Sequence, residues 1–497
     1  MKTRNSLRIV SALLVLLMFI PGLISCSGDT SSSNVPDAGN DTTVLTDTAP
    51  AETTVSPYDD EVPELDFDGY NFKILSPIGT FFHGELTASE QTGEVLNDAL
   101  YNYSREIESR FNIVITEEMT TAGQPMQDRI TNFVTAGDDA FDLATIADFR
   151  ALNMALEGVI LNLTEFDYID LTKAYWTKTL NDALSIDNKL FFAFGDLAIS
   201  SFDYTHVLLF NSDMINSYGL ENPQQLVLDG KFTYDKFLEM GLAVTSDVNG
   251  NGVQDDGDIY GMLSTPKQTI SSLWVAAGAR SVKKDENDIP YFSLPDDKYF
   301  AQVFDRIFEI TWDSGMWYRM SSNSTTYFND FHQFENSEAL FTDRTFYSVG
   351  LLRDMEDDFG VTLYPKWDEK QERYYSRCES GAPVLIVPAT AADTSRTGAI
   401  IEAMASASSK SVIPAYYETT LKQKYTRDEL SSQMFDMVME TRSYDLGDTI
   451  WTTSIRDKFL VPMMTNNDRT LASTVEKNRT EVENTINKAI SFFKDLG

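Results

Sequence analysis

The stretch Ser246–Tyr260, SDVNGNGVQDDGDIY, has the residue types and the spacing to hold a divalent cation. Asp247, Asn249 and Asn251 alternate along it, Gly252 follows, and Val253, Asp255 and Asp258 complete the series. This is the pattern of a calcium loop: alternate side chains turn toward one ion, the glycine allows a sharp turn, and the Val253 carbonyl adds an oxygen. Asp258 stands where a bidentate Glu is usual, and its shorter arm coordinates more weakly. Ile259–Met262 reads as a strand rather than a second helix. The expectation is therefore a lone structural calcium loop, with one calcium ion as the sole cofactor. The same residues also favour an Asx-rich turn that needs no metal.

Little else in the chain points to chemistry. Its three histidines, His83, His206 and His332, are scattered, with no HExxH or HxH spacing. Two cysteines, Cys26 and Cys378, exclude a disulfide framework and Cys-rich zinc sites. There is no G-x-S-x-G elbow and no phosphate loop. With 76 acidic residues, acid pairs arise by chance and carry no weight. The reading is binding without catalysis. The alternative is a secreted hydrolase acting on glycosides, or another envelope enzyme, which needs a convergent carboxylate pair. A net charge of −37 opposes contact with nucleic acid or anionic lipid heads.

The N-terminus reads as an address. Lys2, Arg4 and Arg8 precede an apolar run from Ile9 to Ile20, Pro21-Gly22 breaks it, and Leu23-Ile24-Ser25-Cys26 follows. That ending resembles the bacterial lipobox, which implies a signal peptide over 1–26 and lipidation at Cys26. An ordinary secretory signal with a chance cysteine is the other reading. Residues 27–64 are rich in Ser, Thr, Asp and Pro and hold no Lys or Arg, so they read as a disordered tether.

At 497 residues the chain is long enough for two lobes. Tyr70–Leu75, Phe111–Ile115 and Phe141–Ile146 read as strands, with helices over Gly93–Arg110 and around Asp128–Ala136. This βαβ rhythm predicts a parallel sheet, whose ligands bind beyond the carboxyl ends of its strands. The loops holding Phe81, Phe82 and Glu90, and Asp148 and Arg150, are candidate cleft linings. Lys189–Asp213 carries two strand-like runs, Leu190–Phe194 and Tyr204–Asn211, divided by Gly195-Asp196 and Ser200-Ser201. This is either a buried strand pair or a hinge between lobes, with Phe194 at the crossing. Further on, Gly219 is placed to end a helix, Asn222-Pro223 to open one, and Thr233 to cap a third.

Phe210-Asn-Ser-Asp213, Tyr218-Gly-Leu-Glu-Asn-Pro223 and Phe232-Thr-Tyr-Asp-Lys-Phe237 resemble, in this order, segments of the extracellular solute-binding proteins of ABC importers, the maltose-binding type. Glu90–Arg105, Gly261 onward with Trp274-Val-Ala-Ala-Gly-Ala, Glu338–Phe346, Phe359–Pro365 and Ser411–Tyr417 are similar to further segments. Tyr234 departs from the family's tryptophan. The resemblance implies an α/β, two-lobed periplasmic-binding-protein-like clamp with hinge crossovers and a helical C-terminal region. It implies a first lobe from 65–190 and 333–390, and a second from 191–332 and 391–497. It implies a substrate-binding lipoprotein that captures a carbohydrate, an oligosaccharide, between the lobes and delivers it to ABC permease subunits. Such a protein acts as a monomer on the outer face of the cytoplasmic membrane, held by a lipid anchor only. Sugar recognition uses aromatic faces and planar polar groups. The expected ligand-binding residues are Glu90, Asp148, Phe194, Trp274, Arg344, Phe346 and Trp451, with burial in the core as the other reading of the aromatics.

Overall fold

The computed structural model describes residues 56–79, 86–255, 257–320, 332–349, 352, 355, 357–417 and 429–495. The signal peptide, Cys26, residues 27–55, Phe81, Phe82 and His83 lie outside them. Among the described residues no helix is long and apolar enough to cross a membrane.

Among the described residues thirteen strands follow one another: β1 (Tyr70–Ile78), β2 (Ile113–Thr121), β3 (Leu143–Ala147), β4 (His206–Asn211), β5 (Tyr260–Ser264), β6 (Val282–Lys284) and β7 (Pro290–Phe292), then β8 (Trp317–Arg319), β9 (Ala339–Thr345), β10 (Phe359–Thr362), β11 (Ser376–Arg377), β12 (Pro383–Ile386) and β13 (Arg442–Ser443). Nine of them form two sheets, ordered β12-β3-β1-β2 and β10-β4-β9-β5-β8. In the first, β1 runs parallel to β2 and β3, as the βαβ rhythm predicts. The helices Val95–Phe111 and Gln124–Ala136 make the connections. Strand β12 returns from far down the chain and pairs antiparallel with β3.

The second sheet grows around β4. Its run of Val207, Leu208, Leu209 and Phe210 is buried on both faces, as an unbroken apolar strand must be. Strands β9 and β10 flank it, both antiparallel. The local signals act as read: Gly219 ends its helix at φ +65°, Asn222 accepts from the Gln224 N–H at 2.8 Å, and Thr233 caps the helix Tyr234–Val244. That helix lies so close to β5 that a Cβ on Gly261 would stand 2.6 Å from the Gly241 Cα.

Two segments join the sheets. Going out, Ala193 exchanges backbone hydrogen bonds with Leu385 of β12, and the chain then runs to His206 at the start of β4. Coming back, Cys378 bridges Thr205, the Glu379 N–H donates to the Tyr204 carbonyl at 2.9 Å, and the chain enters β12. The crossings lie side by side, which is the hinge arrangement. Leu190–Phe194, expected as a strand, forms only the single bridge at Ala193.

Three segments lie elsewhere than expected. Of 333–390, assigned to the first lobe, β9 and β10 belong to the second sheet and only β12 to the first. The helix Thr394–Tyr416, assigned to the second lobe, packs on the first. Its Glu402 accepts from the Trp176 indole at 3.0 Å, and its Arg396 lies over the Tyr70 ring. Residues 56–64 are not part of a free tether. Asp60 accepts two hydrogen bonds from Arg110, at 2.8 and 2.9 Å, and Val62 is buried.

Candidate functional site

Where the crossings meet the sheets, the interior is charged. Asp148 opens the helix Asp148–Leu156 directly after the carboxyl end of β3, and its side chain is fully buried. Its Oδ1 accepts from the Phe149 N–H at 2.6 Å and from the Gly381 N–H at 2.8 Å. Among the described residues its Oδ2 has no donor. Burial pushes this carboxyl up to about 7, against the pull of those two N–H groups and of Arg456, with Asp448 adding to the rise.

Glu379, two residues before Gly381, faces the second sheet. One oxygen meets the Lys267 Nζ at 3.1 Å and the other the His206 Nε2 at 3.1 Å. Burial opposes its ionisation, but Lys267, His206 and Arg377 outweigh burial and hold the carboxyl well below the usual range. His206 Nδ1 donates to Asp343 Oδ1 at 2.6 Å. Burial works against the imidazolium here, yet Asp343 and Glu379 win and raise the His206 pKa. Arg377 donates to both oxygens of Asp448, at 2.6 and 3.0 Å, and Arg456 donates to the same carboxylate at 3.1 Å. These two cations overcome burial and hold Asp448 down at about 2.

The cluster thus sets four carboxyls, Asp148, Asp343, Glu379 and Asp448, against four basic groups, His206, Lys267, Arg377 and Arg456. Lys267, in the first turn of the helix Pro266–Ala276, is the one with substantial solvent access, its side chain 37% exposed. Arg456 also donates to the partly exposed Asp457, at 2.7 and 3.2 Å, and among the described residues of the cluster Asp148 Oδ2 has no partner. Chemically these are groups that exchange hydrogen bonds with polar partners.

Of the residues expected from sequence to bind ligand, the cluster contains Asp148 alone. Trp274 is buried, its indole donating to Asp445 Oδ2 at 2.9 Å and its ring 5.7 Å from that of Phe300. Phe346 packs 5.0 Å from the Phe435 ring, and Phe194 5.6 Å from that of Tyr444. Arg344 is buried in β9, donating to the Asp343 carbonyl at 2.7 Å, and Trp451 is buried as well. The aromatics therefore occupy core positions. Glu90 is exposed beside a polar hollow of roughly 580 Å³ lined by Thr87, Asn97, Arg105 and Glu117. Sequence reasoning missed His206, Lys267, Arg377, Glu379, Asp448 and Arg456. One signal was present: Arg377 and Glu379 alternate, so an extended backbone turns both to one side.

The 247–258 loop stands apart from the cluster. Asp247 accepts from the Gly250 and Gly252 N–H groups at 2.6 and 2.7 Å, and Gly252 has φ +76°. Asn249 and Asn251 both donate to Asp255, at 3.0 and 2.7 Å. Asp258 is buried and accepts from the Val248 and Asp255 N–H groups. The side chains of Asn249, Asn251 and Asp255 are thus joined to one another by hydrogen bonds. Among the described residues, though, no three His, Cys, Asp or Glu side chains are gathered closely enough to share a metal.

No family model matches the chain, and no curated protein matches it. Solved structures do. An extracellular solute-binding protein from Staphylococcus aureus in complex with maltose aligns with a TM-score of 0.57 at 11% identity, over 84% of this chain and 98% of its own. A sugar transporter from Rhizobium etli in an open conformation aligns at 0.56 and 13%, over 86% and 99%. A cyclo/maltodextrin-binding protein complexed with maltotetraose aligns at 0.55 and 12%, over 86% and 98%. The chain has the fold of these two-lobed binding proteins, over nearly their whole length.

Proposed function

We propose that the protein captures a neutral carbohydrate, an oligosaccharide, between its two lobes and passes it unchanged to the permease of an ABC importer. The observation that carries this reading is Asp148 Oδ2. It is a buried acceptor with no partner, at the carboxyl end of a parallel strand, beside the crossings that join two lobes. Buried polar atoms are nearly always bonded, so an orphan at this place suits a ligand hydroxyl. The charged groups around it are already paired with one another, which favours a ligand without net charge, since an ionic one would add a charge with no partner. Lys267 and Glu379 are suited to meet further hydroxyls from the second lobe. The solved neighbours bound to maltose and maltotetraose support the ligand class.

In this reading the paired crossings, 194–205 and 378–382, are the hinge, and ligand drives closure because it touches both lobes only in the closed form. Cys26 carries the lipid that holds the monomer at the outer face of the cytoplasmic membrane. The 247–258 loop binds one calcium ion, which replaces the hydrogen bonds among Asn249, Asn251 and Asp255 and stiffens the loop.

A thermal-shift screen of neutral mono- and oligosaccharides, followed by calorimetry on the hits, tests the reading. A hit should bind saturably, resist turnover and compact the particle in solution scattering. Asp148→Ala should weaken it by about 1.5–3 kcal/mol, the contribution of a hydrogen bond to a charged group. If no saccharide shifts the melting temperature, or if one is hydrolysed, the proposal fails.

A further inference from the structure

A hollow of about 400 Å³ lies where the helix Lys178–Leu184, the β6-β7 hairpin and the segment after β13 come together. Its lining runs against the composition of the chain. Acidic residues outnumber basic ones 76 to 39, yet Arg280, Lys283 and Lys284 line the hollow and, among the described residues, no Asp or Glu does.

The three cations are not alike. Lys284 pairs with Asp288 and donates to the Ser185 carbonyl at 2.7 Å, and Lys283 pairs with Asp297 at 2.7 Å. Arg280 pairs with no carboxylate among the described residues. Its Nη1 donates to the Val275 and Ala279 carbonyls, at 3.2 and 2.6 Å, and its Nη2 to the Ser443 hydroxyl. A guanidinium has five N–H groups, so two are left, one on Nε and one on Nη2. Asp445 acts on it only from a distance, because its oxygens are held by Trp274, Ser281 and Val282.

Tyr444 supplies a second open group. It lines the same hollow, is 4% exposed, and its hydroxyl has no partner among the described residues. Buried hydroxyls are nearly always bonded, so a bare one on the wall of a hollow points to a ligand. The remaining wall is largely apolar, with Val282, Leu446 and the ring of Tyr291, which is 47% exposed.

We propose that this hollow is a second binding site, for a small organic carboxylate with a flat apolar body. The carboxylate accepts charge-assisted hydrogen bonds from Arg280 and one more from the Tyr444 hydroxyl. The body lies against Tyr291 and Leu446. A neutral molecule would leave Arg280 without a counter-charge, and a bare inorganic anion would leave the apolar wall in water. None of these residues belongs to the charged cluster, so the site does not depend on the carbohydrate reading.

The probe is benzoate, with benzamide as its uncharged match, titrated into the protein by calorimetry and followed by ligand-observed NMR. Benzoate should bind saturably. Benzamide on wild type, and benzoate on Arg280→Gln and Tyr444→Phe, should each bind about 10- to 150-fold more weakly, the size of a hydrogen bond to a charged group. Arg280 also holds carbonyls at the end of the helix Pro266–Ala276, so its loss can unfold the protein. Tyr444→Phe avoids that difficulty, since it removes a hydroxyl that holds nothing in the folded chain. No saturable benzoate binding up to roughly 10 mM overturns the site. Benzamide binding as well as benzoate overturns it too, by removing the charge from the recognition. A Tyr444→Phe protein that keeps wild-type affinity places the benzoate elsewhere and has the same consequence. Inorganic phosphate that binds as tightly as benzoate and displaces it overturns the carboxylate class, because phosphate has no apolar body.

Discussion

Asp448→Asn should be among the most damaging conservative changes in the chain. The substitution keeps the shape and removes the charge that two buried guanidiniums share. Arg377 donates to this carboxylate at 2.6 and 3.0 Å and Arg456 at 3.1 Å, and all three residues are buried. The cost can be worked in two ways. The carboxyl is held at about 2 against an ordinary 3.8, and a drop of that size corresponds to roughly 2–3 kcal/mol of folding stability at neutral pH. Breaking a buried ion pair by removing one partner costs about 3–5 kcal/mol, an upper figure here because Arg456 keeps Asp457 at 2.7 Å. The expected loss is therefore about 2–5 kcal/mol. Urea unfolding at pH 7, followed by tryptophan fluorescence, should show the midpoint falling with the slope unchanged. The sign with pH follows from a depressed folded pKa. The Asp448 contribution is present above the unfolded value and is lost as pH falls through the folded one. The gap between wild type and variant should thus close in strong acid, as pH falls through the folded value. A loss under about 1 kcal/mol at neutral pH, or a gap undiminished in strong acid, would refute the reasoning.

Gly261→Ala should cost about 1–3 kcal/mol in the same assay, because its Cβ would meet the Gly241 backbone, which has no rotamer to move; a neutral result would mean that the helix and strand can part. Calcium should raise the melting temperature of chelator-stripped protein, and Asp247→Ala should abolish the rise without abolishing saccharide binding. A stripped wild type indifferent to calcium would end the metal proposal. Cys26→Ala should move the protein from the membrane fraction to the medium or periplasm, and retention on membranes would count against lipidation.

The local grammar of the fold was legible. The caps at Asn222 and Thr233, the turn at Gly219 and the buried run Val207–Phe210 depend on neighbours a few residues away. The parallel register of β1 with β2 follows from a short helical connection, which the sequence displays as helical periodicity. What was not legible is pairing at long range. Glu338–Phe346 is placed only by its resemblance, and nothing local says that Ala339–Thr345 pairs with β4 and β5 rather than in the first sheet. The aromatics misled for a related reason: Trp274 on an apolar helix face suits a cleft or a core equally, and Asp445, far along the chain, decides it. The charged cluster failed in the same way, since Asp448, Arg377 and His206 lie in three separate segments and a lone Asp or Arg looks like surface.

The return of β12 bears on how the chain is made. Strand β3 exposes a backbone edge toward β12 until Pro383–Ile386 arrive, and the helix Thr394–Tyr416, which packs on the helix Val95–Phe111 of the first lobe, comes later still. An emerging chain therefore cannot complete its first lobe before the whole second sheet has left the ribosome. A bare strand edge in a half-made lobe is a template for aggregation. The same delay keeps the early chain from locking into a compact body, which is the state that a secretion channel can thread. Moving the segment that holds β12 to a position just after β3 should let the first lobe fold early, and in an exported protein that would slow its passage.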